Sequence, residues 1–559
     1  MKTSSQISLE HLLYGLAIAT ALGLRLWHLG QAPLGEDEAR FALQALAVAA
    51  HHPGELGAAP LLTALTGLAF FLFGSTDAIA RLVPALIGGF LPLLAWPLRP
   101  HLGRRAALIL AFALACDPGL VALSRLANSP VPAAFALTAA VLAAANNRWQ
   151  WALPLAAGGA LLGPTFWLGG LVIGLGLALF RVSGQEIRIP YQPKRVRQGA
   201  WLALAVFILG GSFALWVPEG VGAIFNSLIA FVHSLLPLQP TPLGLLALAV
   251  VAYAPLASGA GLIGAGLLTQ RRATLPTLLG WLVLSAGLLL VFYPGRSPQA
   301  LIWVLLPLWG LAAWALAQLP TTSGRDLAWQ AAIALAMLSF AWFNFLGWGN
   351  APENAPMAHL NLILGIISLL LLLLVSGLMA SSWRGVGRSW GEAWGGLLWG
   401  LAIAGLALSG AATMHVVNGP REAEVWYPHA TTAQMRLLQR TVYDLGLWRH
   451  GRSDALELLD LTQSAATAWA FHSLGNFQQI PALAPDAQPE AFLTPADYAP
   501  AQAAAYRGQD FAISAPPLWP LGDARAIMRW LAFRQHPSGG SSVILWARED
   551  LFPFAPAQP

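Results

Sequence analysis

A chain of 559 residues that is 57% hydrophobic and only 10% charged, with a mean hydropathy of +0.61, reads as a polytopic membrane protein rather than a soluble one. Its net charge of +5 sits in short loops between apolar runs, with no basic face carrying interleaved aromatics, so nucleic acid is excluded as a partner. The single cysteine, Cys116, lies in an apolar run, which rules out disulfides and cysteine-based metal sites.

The first apolar stretch has no small-residue cleavage site and is followed by many more, which predicts a retained helix. Apolar runs near 10–28, 77–98, 105–123, 131–146, 149–163, 165–181, 200–218, 243–268, 275–293, 299–318, 328–348, 359–380 and 392–412 predict about 13 spans of bilayer length. The 24 Trp against 8 Tyr suit helix ends at headgroup level.

Lys2, Arg99, Arg104, Arg105, Arg181, Arg188, Lys194, Arg195, Arg197, Arg271, Arg272, Arg325, Arg384 and Arg388 all fall on the cytoplasmic side under one condition. The run 60–74 must not cross, but lie as a re-entrant or interfacial helix within a first outer loop of roughly 29–76. The N-terminus is then cytoplasmic in the cell membrane, and the odd span count puts the C-terminal part outside. The division predicted is a transmembrane domain over 1–412 and an extracytoplasmic soluble domain over 413–559. From Thr413 onward acids, Pro, Gln and Ser return. Met435, Leu438, Val442 and Leu445 recur at helical spacing, while Leu456–Leu461 and Val543–Ala547 read as buried strands, which predicts an α/β fold.

The outer loop opens with Gly35-Glu36-Asp37-Glu38 ahead of a predicted surface helix over Ala39–Ala50. Asp37 capping this helix with Glu38 in its first turn is the ordinary reading. A carboxylate held rigidly at the bilayer lip can also serve as a general base. Arg81, Arg125 and Arg296 fall on the same side, where forked donors can hold the oxygens of a phosphate. Helix-end arginines more often only snorkel their heads into the interface. His51-His52 do not suit a metal pair, since adjacent helical residues point apart. No zinc, phosphate-loop, serine-hydrolase or dinucleotide motif is present. Buried acids are nearly absent and no internal repeat is evident, which argues against an ion-coupled transporter. Trp426, Tyr427, Trp519 and Trp546 could stack on sugars, but at this density core packing is the better expectation.

Taken in order, Arg25-Leu26-Trp27, Asp37-Glu38-Ala39, Pro60-Leu61-Leu62, Leu72-Phe73-Gly74-Ser75-Thr76-Asp77 and Ala80-Arg81-Leu82-Val83-Pro84 form a pattern. It continues through Arg99-Pro100-His101-Leu102-Gly103-Arg104, Ser124-Arg125-Leu126-Ala127 and Pro294-Gly295-Arg296-Ser297-Pro298. The whole resembles the GT-C superfamily of membrane glycosyltransferases, in particular the protein O-mannosyltransferase and aminoarabinose-transferase-like proteins, including their flippase-associated branch.

The resemblance implies a GT-C-like bundle with an outer C-terminal domain. It further implies transfer of a sugar from a polyprenyl-phosphate donor to a protein, lipid or glycan acceptor. Asp37 with Glu38 would be the catalytic pair, and Arg81, Arg125 and Arg296 the phosphate binders. Asn128-Ser129-Pro130 stands where the pattern carries a second acid, Thr63-Ala64 replaces its aromatic-rich segment, and Gly163-Pro164-Thr165 replaces its lysine. No cofactor is expected, and a divalent metal is unsupported without that second acid. The alternative is a catalytically degenerate GT-C-like scaffold or lipid-carrier accessory protein.

Overall fold

In a computed structural model, residues 9–51, 56–186, 190–214, 225–236, 240–269, 273–319, 324–352, 355–385, 390–484, 486–498, 504–514, 519, 522–535 and 539–552 are described, side chains of 383–393 excepted. Lys2, His52, Arg188, Arg271, Arg272 and Arg388 lie outside them, as does the side chain of Arg384.

Of the 13 predicted crossings, eight are helices long and apolar enough to span a membrane, beginning with α1 (Leu9–Leu26) and ending with Trp394–Asn418. Two more pass only as bent pairs. Helices α6 (Arg104–Cys116) and α7 (Pro118–Ser124) meet at 52°, and Leu243–Tyr253 and Pro255–Leu268 meet at 95°. In each pair a proline opens the second helix, where its missing N–H breaks the ladder. The other three runs fold as α8 (Val131–Ala145), α9 (Trp149–Leu161) and α11 (Pro193–Gly211). The first two are short, and α11 begins with Lys194, Arg195 and Arg197.

Between α1 and the next span stand α2 (Glu36–Ala49) and α3 (Pro60–Phe73), each of 14 residues. Helix α3 is apolar but too short to cross as an ordinary span. The following span, Asp77–Leu102, is composite. It comprises α4 (Asp77–Gly89), a 3-10 segment over Leu91–Leu98 and the short α5 (Arg99–Leu102). Pro84, Pro92 and Pro97 interrupt it.

At the bundle's core Arg25 is fully buried in α1. It donates to Ser124 Oγ at 3.1 Å and to the carbonyls of Ala21, Leu114 and Ala115 at 3.2, 3.0 and 2.8 Å. The Leu114 and Ala115 carbonyls are left open by the end of α6, which is why an arginine is tolerated at this depth.

The last apolar helix runs to Asn418, and a C-terminal sheet domain follows. Met435, Leu438, Val442 and Leu445 line the buried face of Gln434–His450. The sheet is five-stranded in the order β2-β1-β3-β5-β4. Strands β1 (Glu457–Asp460), β2 (Asn476–Gln479) and β3 (Ala491–Pro495) run parallel. Strand β5 (Ser541–Arg548) pairs antiparallel with β3 and with β4 (Tyr506–Ser514). Trp426 and Tyr427 are buried, and Trp546 stacks on Phe492 with centroids 6.3 Å apart, so these aromatics are core.

Candidate functional site

Three successive acids open α2, and the helix sends them in three directions. Gly35 is the extended residue before the first turn, with φ −72° and ψ 169°. Negative charge in that turn meets the positive end of the helix dipole. Ala39, Phe41, Ala42, Ala45 and Val48 form a buried stripe that includes Glu38, which holds the helix against α3 and fixes where the acids point.

Glu38 points inward and is 6% exposed. Arg81 donates to it as a fork, Nε to Oε1 at 2.7 Å and Nη2 to Oε2 at 2.6 Å. Arg421 adds Nη1 contacts of 3.2 and 3.4 Å. The backbone N–H of Ala127 donates at 2.9 Å, and that of Gly35 donates at 3.2 Å. Burial alone would push this carboxyl up. The charges of Arg81 and Arg421 with the Arg81 and Ala127 hydrogen bonds outweigh it and hold the group down at about 2. Arg421 also donates to the Arg125 carbonyl at 2.8 Å and lies 4.6 Å over the Tyr427 ring. Four segments far apart in sequence therefore meet on one carboxylate.

Glu36 points to the C-terminal sheet domain. Its carboxylate accepts from Ser464 Oγ at 2.7 Å and from the N–H groups of Ala465 and Ala466 at 2.8 and 3.1 Å. It thus caps the short helix Ala465–Ala470 from another domain, satisfying donors that the helix leaves open.

Asp37 lies between the two and is exposed. Among the described residues its one ion pair is with Arg40, one turn on, at 3.7 Å, and Arg40 also reaches Glu36 at 3.5 Å. Both Arg40 and Asp37 remain more than half exposed, so this contact is loose.

The expected arginines are not gathered around Asp37 in this arrangement. Arg81 is fully buried and, besides Glu38, donates to the carbonyls of Leu29, Ala32 and Pro33 at 3.2, 2.7 and 3.0 Å. Arg125, 2% exposed, donates to the carbonyls of Leu24, Arg25, Trp27, His28 and Val417. It closes the C-terminal ends of α1 and of the last span. Both guanidiniums bond to carbonyls of chain reversals, and Arg125 also lines a cavity of about 170 Å³ with Arg421 and Arg436. Arg296 is half-buried and donates to Thr241 and Val291 carbonyls at 2.9 and 3.2 Å. Its Nη2 has no hydrogen-bond partner among the described residues. Nearby, Tyr293 and Ser234 hydroxyls bond at 2.6 Å.

The C-terminal sheet domain is clamped onto this loop. Thr431 Oγ1 donates to the Leu34 carbonyl at 2.7 Å, Trp469 Nε1 to Asp77 at 2.8 Å, and Phe70 stacks on Trp469 at 5.6 Å. A Cβ on Gly35 would meet the His429 carbonyl oxygen at 2.4 Å, so only glycine allows this approach. Among the described residues no three His, Cys, Asp or Glu side chains lie together as a metal site. Asn128 is exposed beside the buried Ala127.

Sequence reasoning assigned no role to three of these side chains. Arg40 was detectable from its i,i+3 spacing to Asp37. Glu36 and Arg421 carried no local signal, since their partners are hundreds of residues away.

No protein-family model matches the chain, and no curated protein matches it. Among solved structures it is similar to ArnT from Cupriavidus metallidurans bound to undecaprenyl phosphate, with TM-score 0.51 and 16% identity over 84% of this chain and 85% of that one. The apo state of the same protein gives TM-score 0.50 and 15% identity over 84% of each chain. The chain therefore shares the fold of that protein.

Proposed function

We propose that this protein is a membrane glycosyltransferase that moves a sugar from a polyprenyl-phosphate donor to an acceptor at the membrane face bearing the soluble domain. One observation carries the reading. Of three acids on the first turn of α2, the outer two are bound into the scaffold, and Asp37 alone is held rigid yet open. ArnT, the structural neighbour, binds undecaprenyl phosphate, and a donor of that chemistry suits a site at the bilayer lip.

Asp37 accepts the proton of the acceptor's nucleophilic hydroxyl or amine as that atom attacks the anomeric carbon. The bond from that carbon to the phosphate oxygen breaks, the electron pair leaves with the phosphate, and in-line attack inverts the anomer. Glu38 and Arg81 act as positioning residues that fix α2. With Arg81 and Arg125 tied to protein acceptors, the phosphate-facing role passes to the freer guanidiniums of Arg40 and Arg296. The face bearing the soluble domain is extracytoplasmic in this proposal, and the N-terminus is cytoplasmic.

Asn128 in place of a second acid, together with the committed arginines, favours the degenerate scaffold as the second reading. Transfer from a polyprenyl-phosphate sugar in proteoliposomes separates them. Wild type should turn over and Asp37→Asn should lose about 10²–10⁴-fold with its melting temperature unchanged. Equal rates in both proteins would remove Asp37 as the base, and no transfer by either would favour the scaffold.

A further inference from the structure

At the far end of the bundle the composite span does something unusual. Eight consecutive residues, Leu91–Leu98, are 3-10 helix, well beyond the common run of three or four. Irregular backbone at membrane depth is tolerated where it is buried in protein or lines a cavity. Here it lines two. One is an open groove of about 500 Å³ between this segment and α8–α9. The other, about 310 Å³, is apolar almost throughout and extends into the bundle as far as Trp303. Leu94 and Leu142 line both, so the groove and the apolar cavity adjoin.

The two chambers differ in chemistry. A 3-10 turn brings i and i+3 into line, so Leu93, Trp96 and Arg99 form one row at the groove, with Arg99 4.8 Å over the Trp96 ring. Arg148 stands on the opposite wall, at the start of α9, exposed and with no side-chain partner among the described residues. Arg99 also pairs with Glu10 at 3.1 Å, at the beginning of α1. Arg125 caps the end of that same helix, so the groove lies about 27 Å from the proposed catalytic face by helical rise.

We propose that this groove is a binding site for an anionic bilayer phospholipid of the leaflet opposite the soluble domain. The headgroup phosphate sits between Arg99 and Arg148, and one acyl chain enters the apolar cavity. An amphiphile with a negative head and a hydrocarbon tail matches both chambers, and a neutral lipid leaves Arg148 uncompensated. The site is independent of the transfer reaction.

Native mass spectrometry of the full-length protein in detergent, with equimolar phosphatidylglycerol and phosphatidylcholine, tests it. One phosphatidylglycerol should be retained in preference, and Arg99→Gln with Arg148→Gln should weaken it about thirtyfold. Arg148→Gln alone, at an exposed position, should account for part of that loss and guards against a folding defect from the Glu10 pair. Ala139→Trp, which fills the groove, should expel the lipid with both arginines intact. Equal retention of both lipids, or unchanged retention in the arginine variants, would overturn the site. Displacement of phosphatidylglycerol by equimolar undecaprenyl phosphate would overturn its assignment to a bilayer lipid.

Discussion

The Ala127 backbone N–H donates to Glu38 Oε1 at 2.9 Å, which ties the first turn of α2 directly to the loop that follows α7. A buried ion pair of this kind is weak evidence for stability but strong evidence for placement. Glu38→Gln removes the charge that compensates Arg81 and Arg421. It should cost about 3–5 kcal/mol and lower transfer through disorder of α2, which thermal unfolding in detergent and a transfer assay on the same preparation would read. An unchanged melting temperature would contradict the positioning role.

The same carboxylate sets an acid limit. Burial would raise Glu38, but Arg81 and Arg421 hold it at about 2 in the folded protein, below the glutamate value of about 4.3 in an unfolded chain. Its stabilisation is thus complete above the unfolded value and drains away as pH falls toward the folded one. Melting temperatures of wild type and Glu38→Gln should converge between about pH 5 and pH 2.5. A constant gap across that window would disprove the linkage.

Gly35→Ala tests the clamp between loop and domain. The added methyl meets the His429 carbonyl oxygen at 2.4 Å, a backbone atom that cannot swing aside. The loop should separate from Thr431, with a loss of about 1–3 kcal/mol from overpacking and faster amide exchange at Thr431 and Thr432. Unchanged exchange would show that the contact is not limiting.

Glu36→Gln keeps the shape of the cross-domain cap but weakens its charge-assisted hydrogen bonds. About 1 kcal/mol should be lost, confined to local opening of Ala465–Ala470, while Asp37-dependent transfer persists. Hydrogen exchange resolved to that helix is the measurement. A global loss instead would mean that the cap holds the whole domain in place.

Asp37 was legible because an acidic run beside a surface helix is rare in a chain this apolar. The helical stripe Met435–Leu445 was legible too, since burial writes its period into local sequence. The fates of Arg81 and Arg125 were not, because an arginine facing a phosphate and one closing a helix end have the same residue type and the same height in the membrane. Only the carbonyls around them distinguish the cases, and those come from Leu29–Pro33, Leu24–His28 and Val417. Crossing number was blurred for a related reason. Hydropathy does not register the 95° bend at Pro255 or the 52° bend at Pro118.

Glu38 meets Arg421 across 383 positions, and Glu36 meets Ala466 across 430. Both partners leave the ribosome after the final membrane helix. During synthesis α2 is made early, but of the two guanidiniums that hold Glu38 only Arg81 is present until nearly the whole polypeptide is made. A chain stalled or cut before Arg421 therefore carries Asp37 without a fixed helix beneath it, and the proposed chemistry switches on only when biogenesis is finished.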